Sequence, residues 1–147
     1  MSGMVVGCDL LHMDPVKGAV LFRRRDFTDP KTQQEMVGAL GTTSTGAARK
    51  FDVVLSDMAP NASGSSQLDA GAITHLSYLA LRFAVTNGHR GSHFVTKIWE
   101  EKSCREHLIK DAKLFYQQVE VFKPKASRSE SSETYVVAKH FKGLEEK

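Results

Sequence analysis

Three charged residues stand where an apolar pattern does not want them. Asp57 closes the run FDVVLSD, Lys97 interrupts HFVTKIW, and Glu133 opens ETYVVA. Phe51 to Asp57 reads as a strand buried on both faces, presenting an acid at its carboxyl end. Ligands of open α/β sheets sit at strand carboxyl ends. A carboxylate there needs a partner, or it caps the turn that begins at Met58. A lysine within an apolar strand is rare unless paired, and a desolvated one can serve as a general base. The bland alternative is a lysine that snorkels from a strand end. Together, an acid, a lysine and a second acid near three strand ends make a proton-transfer centre.

Two further acids follow apolar strands. Asp9 comes after MVVGC, where an acid takes ribose hydroxyls in nucleotide-binding halves or equally forms an Asx-turn. Asp26-Phe27 comes after AVLF and three arginines, as an adenine-contacting acid with an aromatic beside it or as a solvated Asp. Cys8 and Cys104 lack metal-ligand spacing, and the six histidines are scattered, so no metal is expected.

The elements that must position these residues follow from pattern. Strands are expected over Met4–Cys8, Ala19–Phe22, Phe51–Asp57, Ser92–Trp99, Val119–Phe122 and Thr134–Ala138. Asp29-Pro30 starts a helix as N-cap and first helical residue, with Met36, Val37 and Leu40 inward. Leu68 to Asn87 carries a helical stripe of Leu68, Ala72, Leu76, Leu79, Phe83 and Ala84, closed by Asn87-Gly88. Glu101 to Phe115 is a third helix with a Glu101–Arg105 pair four apart. The order β, β, α, β, α, β, α, β, β predicts an α/β fold with a mostly parallel sheet and a terminal antiparallel hairpin. Residues 1–142 form one domain and 143–147 a frayed tail.

The composition is that of an ordinary domain: 41% hydrophobic, 25% charged, net charge +3. The mild positive bias favours anionic partners, and the basic residues concentrate at Arg23-Arg24-Arg25, Arg49-Lys50 and Lys123-Pro124-Lys125 with Arg128. No run is long enough to span a membrane, and no presequence is visible. A monomer is expected.

The segments CDLLHMDP, RRDFTDP, DVVLSDMAPNASG, HFVTKIW and KPKASRSESSETYVVA, in this order, resemble the FtsJ-like family of RNA 2'-O-ribose methyltransferases. The likeness runs from Val5 to about His140, and the serines of the last segment are closest to the mitochondrial rRNA methyltransferase branch. The resemblance implies a class I (Rossmann-like) fold using S-adenosylmethionine. It implies cofactor binding by Asp9 to the ribose, by Asp26 and Phe27 to the adenine, and by Asp57 beside the methionine part. Asp57, Lys97 and Glu133 match the last three members of the family's Lys-Asp-Lys-Glu catalytic set, with Lys97 as the base. Lys123, Lys125 and Arg128, together with the arginine cluster Arg23-Arg24-Arg25, would hold phosphates of RNA, large-subunit ribosomal RNA by the family's habit. The implied place is the mitochondrion, with the cytoplasm as the alternative.

The family's first strand and helix, its glycine-rich turn and its first catalytic lysine would lie upstream of Asp9. An N-terminally truncated product or an incomplete gene model is therefore expected. The lost strand would be central, between those ending at Asp9 and Asp57, leaving two apolar edges. A rival reading follows, in which the chain is a non-catalytic RNA-binding or ribosome-assembly remnant of the fold. A nicotinamide-dependent enzyme is a more distant rival that gives Lys97 and Glu133 no joint role.

Overall fold

The structure is a computed structural model that describes residues 3–59, 66–99, 102–124 and 133–144. Its elements are β1 (Val5–Asp9), β2 (Ala19–Arg23), α1 (Pro30–Gly38), β3 (Phe51–Ser56), α2 (Ser66–Asn87), β4 (Gly88–Trp99), α3 (Lys102–Ala112), β5 (Tyr116–Phe122) and β6 (Glu133–Phe141). Their kinds and order are those read from the sequence. They fall into two units, Met1–Lys50 and Phe51–Lys147.

In the first unit β1 and β2 pair in parallel, from Val5 opposite Ala19 to Asp9 opposite Arg23. The first helix starts as its sequence dictates. Asp29 is extended, its side chain accepts from Lys31 N at 2.9 Å, and Pro30 opens the helix. Met36 and Thr32 are buried. Arg25 turns inward, donating to Thr32 Oγ1 and pairing with Glu35, while its guanidinium lies 5.9 Å from the Phe22 ring centre. Arg23 is engaged in the same unit, donating to the Met13 carbonyl at 3.2 Å.

The second unit holds a four-stranded sheet in the order β3-β4-β6-β5. β3 and β4 are parallel, and β6 runs antiparallel to both β4 and β5, so the final connection is the expected hairpin. Phe94 and Ile98 of β4 and Val136 and Ala138 of β6 alternate onto one face. There they meet Ala80, Leu81, Ala84 and Val85 of α2 and Leu108 of α3. Tyr78 of α2 donates to Asp111 of α3 at 2.5 Å, and burial together with this carboxylate pushes the phenol up to about 12.

Several expectations need correcting. β3 is not buried on both faces: Val54 packs on the core, but Val53 is 46% and Leu55 74% exposed. The core cluster lies on one side of the sheet, so the alternate β3 residues lie outside it. On α2 Phe83 and Ala84 of the expected stripe are buried, but Ala72, Leu76 and Leu79 are only half-buried, and Ile73, Ser77, Ala80 and Leu81 lie innermost instead. Ser77 occupies a core position because its hydroxyl lies 2.9 Å from the carbonyls of both Ile73 and Lys97. The side chain of Leu68 lies outside the described residues, as does Glu101 of the expected Glu101–Arg105 pair. The third helix stops at Ala112, and residues to Phe115 continue as turns. β4 begins earlier than expected, at Gly88, directly after the last residue of α2. A Cβ at Gly88 would meet Ala84 O and Ser92 Oγ at 2.6 Å, so only glycine fits this abrupt passage from helix to strand.

Candidate active site

The parallel register of β3 and β4 sets Ser56 opposite Thr96, so the residues that follow, Asp57 and Lys97, meet at the carboxyl ends of both strands. Lys97 Nζ lies 2.8 Å from Asp57 Oδ1. The two differ in exposure: the lysine side chain is 10% exposed and the aspartate side chain 68%. The buried lysine has the partner that burial demands. Its backbone is anchored from below, where Ser77 of α2 reaches its carbonyl.

A fourth group joins them. Tyr135 stands directly opposite Lys97 on β6, and its hydroxyl donates to the same Asp57 Oδ1 at 3.1 Å. Lys97 and Tyr135 share the face away from Phe94, Thr96 and Ile98. From the sequence neither Tyr135 nor Ser77 receives a role, although Tyr135 belongs to the Ser-Glu-x-Tyr segment that carries part of the family resemblance. Tyr135 reads as one more member of the alternation in ETYVVA, and Ser77 as a polar residue on an apolar helix. Glu133 opens β6 opposite Trp99, which puts its backbone at this end of the sheet; its side chain lies outside the described residues.

The candidates of the first unit are held by their own turns. Asp9 accepts from Leu11 N at 2.9 Å, an Asx-turn. Asp26 accepts from Thr28 N at 2.9 Å and from Thr28 Oγ1 at 2.7 Å, and these bonds hold its carboxyl below the usual aspartate range. Phe27 is half-buried, and its carbonyl accepts from Gln33 Nε2 at 2.8 Å. Both acids are exposed. Of the expected phosphate-binding residues, Lys123 is exposed at the end of β5, whereas Lys125 and Arg128 lie outside the described residues. No helix among the described residues is long and apolar enough to cross a membrane.

Known proteins resemble this chain in sequence and in fold. A sequence profile of the FtsJ-like methyltransferases matches residues 1–141, through both units. The chain is 42% identical over 142 residues to the mitochondrial rRNA methyltransferase 2 of Drosophila melanogaster, covering 97% of this chain and 54% of that protein. It is 39% identical to the ribosomal RNA large subunit methyltransferase E of a Polaromonas strain, with 97% and 56% coverage. The same-named protein of Francisella philomiragia is also 39% identical, with 65% of its length covered. The chain thus spans about half to two-thirds of the curated relatives it matches. A solved ribosomal RNA methyltransferase from Plasmodium falciparum has the same fold, with a TM-score of 0.79 at 23% identity over 95% of this chain and 73% of that one. The expected class I fold therefore stands, and the chain belongs to the FtsJ-like methyltransferase family.

Proposed function

We propose that this chain carries the methyl-transfer site of an S-adenosylmethionine-dependent enzyme that methylates ribose 2'-hydroxyls of ribosomal RNA. One observation supports it above the rest. In a member of the FtsJ-like family, a buried lysine amine is held against an aspartate at the carboxyl ends of two parallel strands. S-adenosylmethionine, when bound, supplies a methyl already activated by its sulfonium. The protein must then align the ribose oxygen and accept its proton. Lys97 is the acceptor in this reading and works as a neutral amine. Asp57 favours the charged ammonium, so Lys97 must release a proton before it can take one. Glu133, at the same sheet end, completes the set by resemblance.

By residue type the first unit suits the cofactor. Exposed carboxylates at Asp9 and Asp26 can accept from hydroxyl and amino groups, and the half-buried Phe27 offers a ring face. Asp57 would serve the cofactor's methionine part as well as the reaction. Lys123, Lys125 and Arg128 would hold RNA phosphates. The family match through both units supports a single domain over residues 1–142. The likeness to the Drosophila protein supports a mitochondrial location, and a monomer is the simplest assembly.

Methyl transfer and cofactor binding, measured side by side on wild type and Lys97→Ala, test the reading. The substitution should cost at least about 10²-fold in transfer and leave cofactor affinity unchanged. Full transfer by the variant removes Lys97 from the mechanism. A wild-type chain that binds RNA but no labelled S-adenosylmethionine is instead the non-catalytic remnant.

A further inference from the structure

We propose that Tyr135 is a positioning residue for the reaction centre, fixing the Asp57 carboxylate so that one oxygen faces the Lys97 amine. The inference rests on the function proposed above, in that it assigns the reaction centre to this pair. The need for such a residue follows from the exposures. Lys97 is constrained by burial and by a backbone carbonyl tied to Ser77. Asp57 follows the last residue of β3, and its side chain is 68% exposed, so packing does not choose its rotamer. A single ion pair to an exposed carboxylate is weak and swings readily. The phenol changes this. It comes from β6, a third strand, and reaches the oxygen that Lys97 already contacts, at 3.1 Å against 2.8 Å. Two donors converging on Oδ1 from neighbouring strands hold the carboxylate at a defined angle. The antiparallel register that sets Tyr135 opposite Lys97 makes the distance between the two donors a property of the sheet.

The Tyr135→Phe variant removes the hydroxyl and keeps the ring. Three-bond Hα–Hβ couplings of Asp57, measured by NMR on this chain, report whether its side chain occupies one rotamer. One rotamer in wild type and averaged couplings in Tyr135→Phe are expected, with backbone amide shifts elsewhere unchanged. In kinetics, kcat should fall about tenfold while the KM for RNA holds, because a misaimed group slows the chemical step without weakening binding. Couplings that are identical in the two proteins overturn the proposal, whatever the kinetics show. A raised KM with kcat intact also overturns it, placing the phenol on the RNA. If neither protein transfers methyl groups, the proposed function fails, while the couplings still decide whether Tyr135 positions Asp57.

Discussion

The acids of the first unit and the acid of the second are held in opposite ways. Asp9 and Asp26 are fixed by amides two residues further on, within turns that close on themselves. Asp57 is held by a lysine of the neighbouring strand and by a tyrosine 78 residues away. A local turn needs only its own segment. The Asp57 centre needs β3, β4 and β6 in register at once, with Ser77 of α2 beneath. The second unit's site is therefore as stable as its sheet, whereas the turns of the first unit can persist through partial opening.

Substitution in the sheet's core tests this contrast most severely. Phe94 is fully buried between α2 and the strands, and Phe94→Ala should cost about 3–5 kcal/mol in urea unfolding of the second unit. The Asp57 couplings should average at the same denaturant concentration at which the sheet melts. An Asp57 geometry that outlasts the sheet would break the comparison. A smaller change is expected in the first unit. Asp29→Ala removes the N-cap bond to Lys31 and should lower helix stability by about 1 kcal/mol, read as faster amide exchange across α1. Exchange in the β1–β2 ladder that rises equally would show that this unit is less local than its turns suggest.

The smallest effect sharpens the picture of that unit. Partial burial, then the neighbouring Asp9 charge, raises the Cys8 thiol above its ordinary value, with Asp26 adding to it and Arg25 opposing it. A raised value leaves less thiolate at a given pH, so alkylation of Cys8 should be slower than that of a free cysteine at pH 8 and should accelerate only at higher pH. An ordinary alkylation profile would mean that Asp9 and the fold around Cys8 do not act on it as described.

Much of the fold could be read from the residues. Apolar runs with period two, the Asp29-Pro30 start and the long polar connection before Glu133 were enough for element kinds, their order and the final hairpin. The pairing of Lys97 with an acid was legible because a lysine among Phe94, Val95 and Ile98 demands a partner. The exposure of one face of β3 was not legible. Val53, Val54 and Leu55 are equally apolar, and nothing local says which of them a helix will cover. Tyr135 was missed for a different reason. Its role depends on cross-strand register, set by a connection over residues 123–132 whose length does not fix which residue of β6 faces Lys97. Ser77 was hidden because a hydroxyl that satisfies a buried carbonyl looks, in one dimension, like any surface serine.

The pairing of β4 with β3 has a consequence for how this protein can vary. β4 starts at Gly88 opposite Phe51, but the next pair is Val53 with His93, and Gly91 between them has a φ of 91°; the side of the sheet on which the amine emerges is therefore counted off from His93. One extra residue between His93 and Lys97, taken up as strand, would invert every later position: Lys97 would turn toward the hydrophobic interior and a neighbour would emerge in its place. Length changes should therefore be far less tolerated between His93 and Lys97 than in the irregular stretch between Gly88 and His93, which can take up a residue before continuous pairing begins.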